Sequence, residues 1–266
     1  MTRSVLVTGA SRGIGAATAR RFATNGWTVY GTARDAERVD AADVALSVDV
    51  TDDDAVQDAV DRVVEETGGI DAVVNNAGDS LVGAVEETDP EDARHQFDVN
   101  VHGPHRVVNA ALPHMREQRT GTVVNMSSVA GRVASPGMGT YAASKHALEA
   151  LSDAIRVEVA PFGVDVVLVE PGPVDTGFVD DSVDYLDFEG PYADVHDKVR
   201  YFVEDIIHGP LAAQPEDVAE KVVAATEADD PKPRYTVGRG SRLLAATENV
   251  PSRLRDAAHH AFMRLP

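Results

Sequence analysis

Seven short, valine-rich runs recur along this chain, most of them separated by stretches of helical periodicity. They are SVLVTG (4–9), WTVYGTA (27–33), VALSVDV (44–50), DAVVNNAG (71–78), GTVVNMSS (121–128), VDVVLVEPG (164–172) and RYTVG (234–238). Most are apolar at successive positions rather than at alternate ones, as in strands buried on both faces of a parallel sheet. Parallel neighbours need crossover connections, and the intervening segments, beginning with a helix over 13–25, supply them. The pattern predicts one α/β domain over residues 1–266, a doubly wound parallel sheet of about seven strands with helices on both faces. A chain of 266 residues with 43% hydrophobic content can fill such a core. Two stretches fall outside the rhythm, an insertion at 178–211 and a C-terminal extension at 239–266.

Composition narrows the function. There are no cysteines, which excludes disulfides, thiolate nucleophiles and cysteine-ligated metals. No run approaches the ~20 apolar residues of a membrane span. The opening MTRSVLVTGA enters the first strand without the regions of a secretory signal. A cytoplasmic protein with no membrane partner is expected. Asp and Glu number 44 against 24 Lys and Arg, a net charge of −20 that argues against a nucleic-acid surface. The acids are 28 Asp and 16 Glu, and the cations are 20 Arg but only 4 Lys. Such an Asp-rich, Lys-poor surface suits a halophilic chain in molar salt, where the screening length falls to ~3 Å and self-repulsion weakens. His259 and His260, adjacent on a helical pattern, diverge and read as solvated tail residues, so no metal site is expected.

VTGASRGIG joins the first strand to the first helix and places Gly9, Gly13 and Gly15 in one turn. Glycines there permit a tight turn, let the backbone approach a pyrophosphate and let the helix pack closely. The free amides of the helix N-terminus then face the phosphates. This is the dinucleotide logic of a Rossmann-like fold. The end of the second strand reads GTARD, with Ala33 where an NAD-binding fold places an acid, and Arg34 next. Arg34, with Arg12 from the glycine turn, would grip a 2′-phosphate bidentately, whereas Asp35 falls one position late. NADP (NADPH) is the expected cofactor.

Tyr141 and Lys145 stand four residues apart in YAASK, one helical turn from each other. Alone, that pair is an ordinary surface spacing. It gains meaning from its company: TGASRGIG, Asp49 in SVDVTD, NNAG at 75–78, Asn100 in DVNVHG, Ser128 closing NMSS, and PGPVDT at 171–176. In this order and spacing the chain resembles the short-chain dehydrogenase/reductase superfamily over most of residues 3–238. The stretch from YAASK onward is most similar to the subgroup of steroid and retinol dehydrogenases. The resemblance implies catalysis by Asn100, Ser128, Tyr141 and Lys145, with Ser128 chosen over Ser127 by its spacing of 13 residues from Tyr141. Tyr141 would donate or accept the proton, and Lys145 would lower its pKa from near 10. Ser128 would bind the substrate oxygen, and Asn100 would hold a water leading to Lys145.

Cofactor contacts are implied from Gly9, Ser11, Arg12, Gly13, Ile14 and Gly15, from Arg34, and from Asp49 and Val50. Others come from Asn76, Ala77, Gly78, Tyr141, Lys145, Pro171, Gly172, Val174 (through its backbone) and Thr176. Asp49 reads alternatively as a turn residue, Asn75 as a tie between strands, and Asp52–Asp54 as the start of a helix.

The insertion holds Phe178, Tyr185, Phe188, Tyr192, Tyr201 and Phe202, six of the 14 aromatics, and nine acids against Lys198 and Arg200. It reads as an apolar substrate lid over a neutral, largely apolar carbonyl or alcohol. A 3-oxoacyl reductase of fatty-acid synthesis is the alternative enzyme, but no basic cluster for its carrier is evident. A non-catalytic NADP sensor of the same fold is the other alternative, and such relatives typically lose the tyrosine or lysine. A homodimer through the helix that begins at Tyr141 is expected, with 239–266 covering the face used by tetrameric relatives.

Overall fold

The computed structural model describes residues 2–183, 186–210 and 212–264, so Tyr185 lies outside the described residues. Strands β1 (Ser4–Val7), β2 (Thr28–Ala33), β3 (Val44–Ser47), β4 (Ala72–Asn75), β5 (Gly121–Met126), β6 (Val164–Pro171) and β7 (Arg234–Val237) form one sheet in the order β3-β2-β1-β4-β5-β6-β7. Every pairing is parallel. Between them run α1 (Gly13–Thr24), α2 (Asp53–Thr67), α3 (Pro90–Phe97), α4 (Gly103–Gln118) and α5 (Gly139–Val159). After β6 come α6 (Asp180–Val183), α7 (Ala193–Tyr201) and α8 (Pro215–Thr226), and after β7 come α9 (Ser241–Ala246) and α10 (Ser252–Met263).

Alternation along each strand sends side chains to opposite faces, and both faces are covered. Val5, Val7, Val74, Val124 and Val169 pack with Phe22 of α1 and Val222 of α8. Leu6, Val73, Val123 and Val166 pack with Val60 and Val63 of α2, Val107 of α4 and Ile155 of α5. This double burial is why the strand sequences show no polar alternation. Strand order reverses between β1 and β4, which opens a crevice at the carboxyl ends.

The strands end before the runs that foretold them. Thr8–Gly9, Val48–Val50, Asn76–Gly78 and Ser127–Ser128 lie beyond the last paired residues, in loops at that carboxyl edge. Asn75 donates to Asn125 at 2.8 Å and ties β4 to β5. Asp52 caps α2, accepting from the amides of Asp54 and Ala55 at 3.0 and 3.1 Å.

Candidate active site

The turn after β1 is shaped by two glycines. Gly9 adopts φ +66, a left-handed conformation, and a Cβ on Gly15 would overlap the carbonyl oxygen of Gly9 and the amide of Asn76. Asn76 donates from Nδ2 to the carbonyls of Thr8 and Gly9 at 2.9 and 3.1 Å, so it braces this turn. Helix α1 starts after Arg12 with no side-chain cap and no acid in its first turn. That leaves a cradle of backbone donors at a positive helix end, the chemistry a pyrophosphate requires, and the residues present fit a dinucleotide.

Farther along the edge, Arg34 and Asp49 line the same cavity. Asp49 accepts from the Thr51 amide and hydroxyl at 2.9 and 2.8 Å, and these bonds, with the charges of Arg34 and His95, hold its carboxyl below the usual range despite partial burial. It is a turn residue and a cavity wall at once. Asp35 accepts from the Glu37 amide at 3.1 Å and caps the short helical turn at Ala36–Arg38. Arg12 lines the cavity as well. It donates to the Gly177 carbonyl at 3.1 Å, because Thr176 sits against Gly13 (3.2 Å to a Cβ there) and brings the 171–177 loop to the start of α1.

That loop is anchored by Gly172, whose amide donates to Val237 at 2.9 Å. Val174 forms an isolated parallel bridge with Ala213, but the bonds run through the Pro173 carbonyl and the Asp175 amide. The Val174 backbone groups take no part in them. Ser11, Ile14, Val50, Ala77, Gly78, Pro171 and Thr176 line the cavity with them.

Tyr141, Lys145 and Ser128 meet at its inner end. Tyr141 is buried, and burial pushes its phenol up to about 12 although a hydrogen bond donated by the Ser128 hydroxyl opposes this. Lys145 is pulled down to about 8 by burial, with Glu149 opposing. Burial outweighs the lowering of the Tyr141 pKa expected from Lys145. Its Nζ donates to the Met126 carbonyl at 2.8 Å and lies 5.8 Å from the phenol ring centroid, while desolvation dominates. Ser128 also accepts from the Ala130 amide at 3.1 Å.

Asn100 sits in a π-helical turn over Asp98–His102, of a kind common at functional sites. Its amide nitrogen donates to the Asp79 carbonyl (2.8 Å) and Ser144 hydroxyl (3.0 Å), and its oxygen accepts from the Asp79 amide (2.8 Å). Ser144 in turn donates to the Tyr141 carbonyl at 2.7 Å. Asn100 thus binds the loop after β4 to the helix that carries Tyr141 and Lys145. Behind Ser128, Arg132 donates to the buried Glu170 at 2.9 Å and also pairs with Glu248 of the tail. Arg234 reaches Glu149 and Asp153 at 3.0 and 2.7 Å.

The cavity holds about 740 Å³, within the usual range for small-molecule clefts. Its outer wall is apolar: Val82, Phe178, Val179, Phe202, Val203 and Ile207. Phe178 meets Tyr141 edge-on at 6.1 Å. The aromatic insertion does not act as a unit, however. Phe188 packs on His196 and Arg200, Tyr192 donates to Glu86, and Tyr201 is exposed. Only Phe178 and Phe202, of its described aromatics, line the cavity.

The tail brings further corrections. Its α10 packs against α7, and His259, Phe262, Met263 and Leu244 of α9 line the cavity. This part of 239–266 therefore borders the cleft. His259 is half-buried at the cavity wall, so it is not a fully solvated tail residue. The tail also carries Arg239, Arg242, Arg253, Arg255 and Arg264 against only Glu248 and Asp256, a local basic excess that the whole-chain count conceals. Asp79, His95, Met138 and Lys198 are cavity residues that sequence reasoning missed. Among the described residues no group of acids and histidines could hold a metal, and no helix is long and apolar enough to cross a membrane.

A family model described as short chain dehydrogenase matches residues 3–185. The chain is 32% identical over 272 residues to an NADPH-dependent 3-dehydrocapnine reductase of Ornithobacterium rhinotracheale, covering 96% of this chain and 95% of that protein. It is 40% identical over 176 residues to a 3-ketodihydrosphingosine reductase of Bacteroides thetaiotaomicron, 66% of this chain and 65% of that protein. A short-chain dehydrogenase from Streptomyces avermitilis superposes with TM-score 0.84 at 33% identity, covering 99% and 98% of the two chains. One from Burkholderia cenocepacia, in complex with NADP, gives 0.78 at 27% identity, covering 100% and 98%. With its seven-stranded parallel sheet and these matches along nearly its whole length, the chain belongs to the short-chain dehydrogenase/reductase family and is an oxidoreductase.

Proposed function

We propose that this enzyme uses NADPH to reduce a ketone or aldehyde carried on a largely apolar molecule. The observation that carries the reading is the meeting of Tyr141, Ser128 and Lys145 at the inner end of a cavity whose outer wall is apolar. A phenol held near 12 stays protonated at neutral pH, which suits a donor to a developing alkoxide. Ser128 would hold the substrate oxygen, and Lys145 would add positive charge while protonated. Asn100 would act by fixing the loop after β4 against α5. When bound, the dinucleotide supplies the hydride; Arg34 at the end of β2, with Asp35 turned to its own cap, supports the phosphorylated form. Both relatives named above are reductases, one of them NADPH-dependent, which supports the direction. The 178–211 insertion would cover the substrate, and the exposed Val157 on α5 suits a dimer through that helix.

The test is NADPH absorbance with a panel of ketones of increasing alkyl length. Tyr141→Phe should fold and bind NADPH normally while kcat falls ~10²-fold or more. Near-wild-type turnover in that variant would sink the assignment. We further propose that the acidic surface is adapted to salt, so the melting temperature should climb between 0.1 M and 3 M KCl. A flat or falling curve would remove that reading.

A further inference from the structure

We propose that the C-terminal helices dock the enzyme on an anionic lipid surface, with the cavity mouth at the contact. The reading goes beyond the choice of substrate and rests on the outer face of the tail. Helix α10 has two adjoining stripes, which meet at Phe262 and Arg255. Arg255, His259 and Met263 form its partly buried stripe, and the last two line the cavity. Beside it Leu254, Ala258 and Ala261, at spacings of four and three, and Phe262, four past Ala258, are all exposed to solvent. Leu254 is 63% exposed and Phe262 41%, and on α9 Leu243 is 76% exposed. A helix on a soluble surface usually leaves only polar side chains outward; this one exposes Leu254 and Phe262 beside its arginines.

The charges complete the pattern. At 100° per residue, Arg253 and Arg264 border the apolar stripe on one side and Arg255 on the other. Among the described residues none of the tail's five arginine side chains forms an ion pair or hydrogen bond. Glu248, one of the two tail acids, is already paired with Arg132. An apolar stripe flanked by arginines is the signature of a helix lying in the plane of a bilayer interface. The rest of the chain, which makes the total −20, is repelled by the same surface and orients the molecule tail-first. Phe262, on both the exposed rim and the cavity lining, puts the entrance at the contact. This departs from the expectation of no membrane partner. The contact is peripheral, since no described helix could span a bilayer.

The experiment is co-sedimentation of the full chain with phosphatidylcholine vesicles, with and without phosphatidylglycerol, at the lowest salt at which circular dichroism shows it folded, where the anionic surface is least screened. Each arginine near an anionic surface contributes about fivefold in binding, so wild type should prefer the anionic vesicles by at least ~10-fold. Leu243→Ser with Leu254→Ser, and separately Arg253→Gln with Arg264→Gln, should each lose most of that binding and keep their turnover of a water-soluble ketone. Absence of wild-type binding to either vesicle overturns the proposal, as does equal binding by wild type and both variants. Two further results overturn it: light scattering showing an oligomer that the leucine variant dissolves, which makes this face a contact with a second copy; and binding to an acidic acyl carrier protein without binding to vesicles.

Discussion

The two walls of the cleft are built on different principles. The floor, from the β1–α1 turn to the 171–177 loop, is defined by backbone: a glycine at φ +66, another with no space for a methyl, and an uncapped helix end. The outer wall, from Phe178 through Ile207 to α10, is defined by side chains that are mainly apolar. Even helix ends on one sheet edge differ. Helix α2 is capped by Asp52 and carries Asp53 and Asp54 in its first turn, whereas α1 offers its amides uncovered. A floor that must meet a phosphate tolerates one backbone shape. A wall that must meet an apolar body tolerates many side chains, so substitutions should act abruptly on the first and gradually on the second.

Gly15→Ala should show the largest effect. Its methyl would push against the Gly9 carbonyl, and NADPH affinity by calorimetry should drop on the order of 100-fold, about 3 kcal/mol. Affinity within a factor of three of wild type would end the idea of a floor set by backbone. Exchanging the charge at its far end comes next. Ala33→Asp with Arg34→Ala should swing the ratio of NADH to NADPH dissociation constants by about 10-fold or more toward NADH. An unchanged ratio would place phosphate recognition elsewhere on the floor.

The smallest effect concerns the clasp between the walls. His208, just past the π-helical turn Phe202–Ile207, bonds Asp175 at 2.9 Å and Asp180 at 3.0 Å. Hydrogen bonds to Asp175 and then Asp180 raise its pKa above 6.5. An imidazolium donates to both carboxylates, so the clasp is complete below pH 6.5 and is lost as pH rises through the raised value. Substrate KM should therefore increase a few-fold over that window while kcat changes little. In His208→Ala the KM should be high and flat across it; an identical pH profile in the two proteins would remove the clasp.

What could be read in advance follows the same division. The strands announced themselves because burial on both faces of the central ones favours apolar residues at successive positions, and the glycine turn because its geometry admits few residues. Tyr141, Lys145, Ser128 and Asn100 stand out in the sequence through spacing, and the fold brings Tyr141, Lys145 and Ser128 to one end of the cavity. The Tyr141 pKa went the other way because burial depends on neighbours such as Phe178, distant in sequence until the chain folds. The aromatics of the insertion were countable, but Phe178 and Phe202 face inward and Tyr192 and Tyr201 do not; direction depends on how α7 is rotated. Similarly, the 255, 259, 263 stripe of α10 is visible as a period, but not its packing against α7.

The pairing of Arg132 with Glu248 has a consequence for how the protein is made. These partners lie 116 residues apart, and Glu170 and Arg234 of the same network also follow Arg132 in the chain. A ribosome needs on the order of ten seconds to add that length. During that interval Arg132 already has Glu170 beside it but not yet Glu248. The second half of the clamp behind Ser128 closes only when the last fifth of the chain has emerged. Termination just past β7 would thus keep the Arg132–Glu170 pair and lose the Glu248 half.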